Sequence, residues 1–541
     1  MKGGERIYRI DKMLSFFEKS VSSSIKKGGR LIHSKSFNFT AFLFMTIFLI
    51  TSFLGGSPLS EQKIPATAAG NRLSQLLEVM NSGKRSEFRS FIQENFNQEF
   101  LNFAPLEEHL NVFGQVYDQS RGYDFHSILK SSDYELSAIL RNKLTEGWLE
   151  LMLRVEAAPP YKISGLGFRP SGPPSDLPPS KKLRQAELIS ELERFLDKLV
   201  AADIFSGSVL VAKDGKPLFK KAYGFASKSY NVPNRVDTKF NLGSMNKVFT
   251  AVAIAQLVER GKLSYDDLIG KYLGPDWIKP EVGQKVKICH LLSHTSGLGS
   301  YFNEKFDKSS RLLFRKVDDY KTLVGNEKLA FEPGTKWQYS NTGFLLLGAI
   351  IEKVTGQSYF DYVLEHIFKP AGMTNTDSYE MDKTVPNLAI GYDKQFNDEG
   401  GYSFRNNLFD HVIKGGPAGG GFSTVEDLLN FDIALRSDKL IKKESRELLT
   451  SPKPELKSPN YGYGFGCATN EKLGRIVGHS GGFVGINSNL DMYLDSGYTV
   501  VVLSNYSGGS QAVNQKIREL LLRLGKQSET NPPPSHFAKG E

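Results

Sequence analysis

Hydrophobic positions along the 541-residue chain fall into three regimes. The first is a block. Residues 37–54, FNFTAFLFMTIFLITSFL, carry no charge over eighteen positions, the lower length for a membrane-spanning helix. The second regime spans 70–169. Two stretches of helical periodicity, NRLSQLLEVMNSG and SEFRSFIQENF, precede four alternating runs, DFHSILKSS, YELSAILRN, GWLELMLRVE and YKISGLGFR, which predict successive antiparallel strands. The third spans 181–525. A helix over about 183–202 leads into SGSVLVAKDG and KPLFKKAYGFA, a hairpin turning at Asp214-Gly215. Helical segments dominate from Ser244 to Leu435. The runs GRIVGHSGGF, GINSNLDMYLD and YTVVVLSNYS then return to strand, and QAVNQKIRELLLRLG closes as a helix. Strands at both ends predict one antiparallel sheet assembled from distant segments. The helical middle forms a second lobe, with a cleft between the two.

The punctuation between these regimes gives the domain plan. Residues 170–180, PSGPPSDLPPS, hold five prolines and read as a stiff linker. Residues 55–69 read as a tether and 526–541 as a disordered tail. The 70–169 unit is α+β, with helices before a meander, and is cystatin-like or NTF2-like in outline. That likeness carries no function, and an accessory or packing domain is the expectation.

Charge changes the picture at one end only. The chain carries +9, of which residues 1–36 supply +6 from nine Lys/Arg and three Asp/Glu. The basic character is that of a tail, so nucleic acid is not an expected partner. Cations ahead of an apolar block hold the N-terminus in the cytoplasm and place the body across the membrane. Residues 37–54 are read as a retained anchor. The competing reading is a cleaved signal segment, with Ala66-Thr67-Ala68 resembling a cleavage site. Ile7, Ile10, Leu14, Phe17 and Val21 form a stripe suited to an interfacial helix, unless translation starts at Met13. Two cysteines, Cys289 and Cys467, exclude a disulfide framework, and no His/Cys/Asp spacing implies a metal. No cofactor is expected.

The candidate chemistry centres on Ser244. It is one of five Ser-x-x-Lys pairs, and the one that opens a long apolar-periodic segment after a glycine turn. Residues three apart share a helix face, so Lys247 meets the serine hydroxyl above the helix's positive end. Taken alone, the same spacing suits an N-cap serine beside a solvated lysine. Tyr339 and Asn341 precede another apolar helix, in KWQYSNTGFLLLGAIIEKVTG. Either Lys247 or Tyr339 could take the serine proton, and a coupled pair sharing it is the expectation. Asn341 is placed to donate to Lys247 or to a substrate carbonyl. In IVGHSGGFVG, His479-Ser480-Gly481-Gly482 ends one strand run, where glycines admit a substrate backbone. The Ser244 and Gly482 amides could form an oxyanion hole. ICHLLSHTSGL reads as a short helix stopped at Gly297, without chemistry of its own. GGPAGGGFSTVEDLLNF reads as a glycine turn feeding a Ser423-x-x-Glu426 capping box.

With these strings in place the chain resembles the serine beta-lactamase-related hydrolases of class C type, which include D-alanyl-D-alanine carboxypeptidases, D-aminopeptidases and esterases. The likeness covers about 195–525 and rests on Ser244-x-x-Lys247, Tyr339-Ser340-Asn341 and His479-Ser480-Gly481 in that order, with the LLSHTSGL and GGGFST strings between them. It implies a beta-lactamase-like sheet flanked by helices, Ser244 as acylated nucleophile, Lys247 and Tyr339 handling protons, and 479–482 as the substrate-binding edge. Class C enzymes carry Lys-Thr-Gly where this chain has His479-Ser480-Gly481. A partly charged histidine suits a substrate carboxylate less well than lysine. The expectation is a membrane-anchored serine hydrolase acting on a small-molecule or peptide substrate. An ester comes first, a D-peptide second and a beta-lactam third. The rival from another class is a non-catalytic envelope scaffold on the same fold. Loops such as 301–324 shape the cleft and set the substrate, and the oligomeric state is left open.

Overall fold

The computed structural model describes residues 63–525 apart from 179 and 399. The basic tail, the predicted anchor, most of the tether and the C-terminal tail lie outside the described residues. Among the described residues no helix is long and apolar enough to cross a membrane.

The N-terminal unit begins earlier than its pattern suggests. Thr67 caps helix α1 (Ala68–Ser82) by accepting from the Gly70 amide, so the last tether residues are structured. Helices α2 (Arg85–Asn95), α3 (Gln98–Phe103) and α4 (Leu106–Ser120) follow; the last two were not expected. The sheet runs β1 (Tyr123–Ser131), β2 (Glu135–Asn142), β3 (Trp148–Val155) and β4 (Ile163–Ser171) in simple antiparallel order. Its inward residues, among them Leu136, Ala138, Leu140, Leu151 and Leu153, pack on Leu73, Leu77, Phe88, Phe96 and Phe113 of the helical layer. The proline-rich segment does not hang free: Asp176 meets His126 of β1 at 3.2 Å.

The larger unit is built on a six-stranded antiparallel sheet. Its first two strands in sequence are β5 (Gly207–Lys213) and β6 (Lys216–Tyr223), after helix α5 (Gln185–Ala201). Asp214 and Gly215 both take left-handed φ, 50° and 75°, the signature of a two-residue I′ turn. The helical lobe includes α6 (Asn246–Glu259), α7 (Asn341–Thr355) and α8 (Val425–Arg436). Strands β7 (Gly466–Asn470), β8 (Gly474–Phe483), β9 (Ile486–Tyr493) and β10 (Tyr498–Ser504) complete the sheet, and α9 (Gly509–Arg523) ends it. The spatial order is β7-β8-β9-β10-β5-β6, so the C-terminal β10 pairs with the N-terminal β5. Alternation divides the faces. Val209, Val211, Val500 and Val502 pack under α5 and α9, while Leu210, Val501, Leu503, Val477 and Leu490 face the helical lobe. Helix α6 is buried on nearly every face, which its apolar composition all round requires.

Two local expectations shift. The cap of α8 is Thr424, which accepts from the Asp427 amide at 3.2 Å; Ser423 instead bonds Thr376. A hairpin of Tyr392–Phe396 and Tyr402–Asn406 interrupts the helical middle. Its role is to dock the two units. The Phe396 ring lies against Gly114 of α4, where a Cβ would sit 3.2 Å from it. Lys394 meets both oxygens of Asp118 at 2.8 Å, with each side chain 10% exposed. Arg121 reaches the Ala202 carbonyl at 2.8 Å. Removing one partner of such an ion pair strands the other, at a cost of about 3 kcal/mol or more. Asp118→Ala is therefore expected to lower the thermal midpoint sharply. Arg121 also donates to Asp118, at 3.0 Å, so Asp118→Leu combined with Lys394→Met should recover part of that loss; a double variant worse than Asp118→Leu alone would contradict the pairing.

Candidate active site

Residues 238–257 are buried with one exception, the half-buried Ser244. It sits in a single 3-10 turn, Gly243–Met245, that runs straight into α6. The turn is held from three sides. Asn241 Oδ1 accepts from the Gly243 amide at 2.9 Å, Leu242 N–H donates to Gly421 O at 2.7 Å, and Gly420 N–H donates to Gly243 O at 3.1 Å. Gly243 has φ 51°, and a side chain there would meet the Gly482 amide at 3.0 Å. A Cβ on Gly419 would lie 2.9 Å from Gly243 O. The glycine-rich loop thus borders the cleft by backbone approach.

One turn into α6, Lys247 is fully buried. Its Nζ lies 3.1 Å from Ser244 Oγ, 2.9 Å from Asn341 Oδ1 and 2.5 Å from the Ala418 carbonyl oxygen. The rings of Tyr339 and Phe344 close the remaining side, at 4.8 and 5.5 Å from Nζ. Burial holds the amine well below its ordinary pKa. Asn341 therefore accepts from Lys247, while its Nδ2 donates to Ser300 Oγ at 3.2 Å.

Tyr339 is buried and hydrogen-bonds Ser244, and burial raises its phenol above the ordinary tyrosine range. The loop that carries it is fixed by a residue not singled out in the sequence, His294. That residue adopts φ 60°, uncommon for a side chain larger than glycine. Its carbonyl accepts from Gln338 N–H at 2.9 Å and its Nδ1 from Ser340 N–H at 3.0 Å. Its ring lies 4.2 Å from that of Tyr339. The LLSHTSGL string therefore positions the tyrosine loop. Ser340 caps α7, accepting from Gly343 N–H at 2.9 Å.

Strand β8 supplies the opposite wall. β7 pairs with it from Asn470↔Gly474 to Gly466↔Gly478 and stops there, so residues 479–483 pair on one side only, with β9. The turn to β9 has two residues, Val484 and Gly485, after Phe483↔Ile486. In such a hairpin the closing pair exchanges hydrogen bonds and the next pair does not. The Gly482 amide therefore points away from β9, toward the Ser244 turn. No side chain fits at Gly481, where a Cβ would sit 1.9 Å from Leu242 O. Ser480, on the other face of the strand, is half-buried.

His479 is placed differently from expectation. It is 5% exposed, its Nε2 is 2.9 Å from Tyr461 Oη, and its Nδ1 is 2.5 Å from Ser480 O. These partners assign Nδ1–H as donor and Nε2 as acceptor. Burial, with Lys247 nearby, pushes the imidazole down to about 3. It is neutral at physiological pH rather than partly charged, and it braces the strand. Between the ordinary histidine value and 3 the unfolded chain binds the extra proton, so stability is complete above pH 6.5 and falls on acidification. His479→Gln is expected to lose about 1.4 kcal/mol less than wild type between pH 7.5 and 5.5, read by urea unfolding. Identical losses would place the protonation elsewhere.

The geometry joins Ser244, Lys247, Tyr339, Asn341 and the Gly481-Gly482 backbone at one point. Cys289 and Cys467 are separate buried thiols. The beta-lactamase family model matches residues 192–524. Penicillin-binding protein 4* of Bacillus subtilis strain 168 is 35% identical over 326 residues, 58% of this chain and 71% of that protein. A penicillin-binding protein from Bacillus halodurans superposes with a TM-score of 0.54 at 29% identity, covering 62% of this chain and all of that one. An octameric penicillin-binding protein homologue from Pyrococcus abyssi gives the same TM-score and identity over 62% of this chain and 78% of its own. By fold, matched span and identity, this chain belongs to the beta-lactamase family and is a serine hydrolase.

Proposed function

We propose that the protein cleaves an ester or a D-amino-acid amide through a Ser244 acyl-enzyme, with its catalytic unit outside the cytoplasm. The observation that carries the reading is the setting of Lys247. A neutral amine spends two N–H groups on Asn341 Oδ1 and the Ala418 carbonyl and turns its lone pair to Ser244 Oγ. As Ser244 attacks the substrate carbonyl, Lys247 takes the hydroxyl proton. The resulting ammonium has an acceptor waiting for each of its three N–H bonds, so the charge forms without reorganisation. The developing oxyanion is received by the Ser244 and Gly482 amides.

Tyr339 supplies the other half. Its raised pKa keeps the phenol protonated, which suits a donor to the leaving group. The new ammonium, 4.8 Å from the ring, lowers that phenol as it forms and helps its proton depart. The leaving alcohol or amine gains the proton, Lys247 returns its own to Tyr339, and water then attacks the acyl-serine by the same route. With His479 neutral, position 479 offers no fixed cation to a substrate carboxylate. Esters therefore rank before D-peptides, and beta-lactams last. The basic tail and apolar block at 37–54 support placement as a membrane anchor.

A small fluorophosphonate is expected to label wild type stoichiometrically and Ser244→Ala not at all. Lys247→Ala and Tyr339→Phe should each slow acylation by roughly a thousandfold, with the double variant little worse than either. Lys247→Arg, which cannot lose its proton, should be as inactive as the alanine variant. Additive modest losses, or a labelled Ser244→Ala, would end this reading. Placement is tested separately. Tyr230 is 81% exposed and both native thiols are buried, so Tyr230→Cys should react with an impermeant maleimide in intact cells. Reaction only after lysis would reverse the topology.

A further inference from the structure

Phe483 directly follows Gly482 on β8. Phe302 follows Ser300 by two residues, and Ser300 Oγ accepts from the Asn341 amide that holds Lys247. These phenylalanines belong to opposite walls of the cleft. Their rings nevertheless stack, 5.7 Å between centroids and 25° between planes. An aromatic pair thus links the strand that carries Gly482 to the segment that carries Ser300.

Phe302 is not fully used by the core behind it. It touches Tyr301 and Phe306, at 4.6 and 5.0 Å between centroids. Those two are 7% and 2% exposed, whereas Phe302 is 37% exposed. Further apolar side chains are exposed on two other segments. Leu312, Leu313 and Phe409 are 60, 63 and 87% exposed. Their segments are joined where Ile413 N–H donates to Arg311 O at 3.2 Å and Arg311 Nε donates to Asp410 O at 3.3 Å. Single exposed leucines need no explanation, but several large apolar side chains exposed on linked segments do.

We infer that Phe302 and Phe483 form the acyl-group subsite, which selects substrates whose carbonyl carries an extended apolar chain. This rests on the hydrolase reading above and narrows it. The face offers dispersion and dehydration and no charge. The carbonyl carbon sits at Ser244, its oxygen at the Gly482 amide, and the chain leaves along the Phe483 ring toward Phe302 and the outer leucines.

The test is kcat/KM for p-nitrophenyl acetate, butyrate, octanoate and decanoate. Wild type is expected to favour octanoate over acetate by at least roughly tenfold. Phe302→Ala and Phe483→Ala should each cut that ratio by roughly tenfold, mainly through KM, while Phe302→Leu keeps most of it. If Phe483→Ala does not fold, the more exposed Phe302 position decides. A flat series in a wild type that fluorophosphonate labels would overturn the subsite and leave the Ser244 chemistry standing. So would an unchanged ratio in the alanine variants. A wild type that is not labelled removes both.

Discussion

An amine sealed from water is the constraint around which this molecule is arranged. Charged and unpaired, Lys247 would cost several kcal/mol to bury. The fold meets that cost with three acceptors from three distant segments: Ser244 one turn back, Asn341 at the head of another helix, and the Ala418 carbonyl of the glycine-rich loop. Asn341 and the Ala418 carbonyl accept from the amine and the ammonium alike, while Ser244 faces the lone pair of the one and the third N–H of the other. Much of the local sequence follows. Helix α6 is apolar all round because it carries the lysine through the middle of the lobe. Gly419 and Gly243 are bare because the Ala418 carbonyl reaches Nζ only if that loop lies on the Ser244 turn.

The second requirement is an open sheet edge at one place. Unpaired edges are a hazard that folds usually cover. Here β7 ends opposite Gly478, and the next five residues of β8 are left with one partner. The Ser244 turn covers part of that gap: Ser488 Oγ on β9 donates to Leu242 O at 2.6 Å, and Gly481 lies under the same carbonyl. What remains open is the amide row beside the serine hydroxyl. The N-terminal unit bears on this edge indirectly. It holds the hairpin that ends at Asn406, and the next residue, Asn407, donates to the Val484 carbonyl at 2.8 Å, in the turn that ends β8.

Legibility in the sequence tracked the range of the interaction. Ser244 and Lys247 are three residues apart, so helix geometry alone pairs them. The hairpin at Asp214-Gly215 was equally local. Tyr339 and the Gly481-Gly482 edge were reachable through the family resemblance, because nothing in their spacing relates them to Ser244. Spacing gave no role to His294, Ala418 or Tyr461, although His294 lies in the LLSHTSGL string that the resemblance includes. The first acts partly, and the second wholly, through a carbonyl, which every residue possesses. Tyr461 matters only because a strand brings His479 within 2.9 Å of its hydroxyl. The charge on His479 is not legible from residue type because burial sets it. Helix α4 is hard to read although Leu106, Leu110 and Phe113 keep helical spacing; the interior Gly114 that weakens its pattern is there to admit Phe396.

The neutral histidine has a consequence for Lys247 in its proposed role as base. Where a permanent cation stands beside a catalytic lysine, repulsion helps to keep the amine unprotonated. Position 479 supplies none here, and desolvation is what lowers Lys247. Its basicity therefore depends on the dryness of its enclosure: the Tyr339 and Phe344 rings, the Ala418 loop and the packing of α6 against α7. On the proposed route Tyr339 is then both a proton donor and part of the wall. A substitution that let one water reach Nζ would return the amine toward its solution pKa, leaving the serine beside an ammonium that cannot accept its proton. Packing and chemistry are thus the same requirement at this site. An apolar acyl group lying across the cleft mouth would complete the enclosure as the reaction begins.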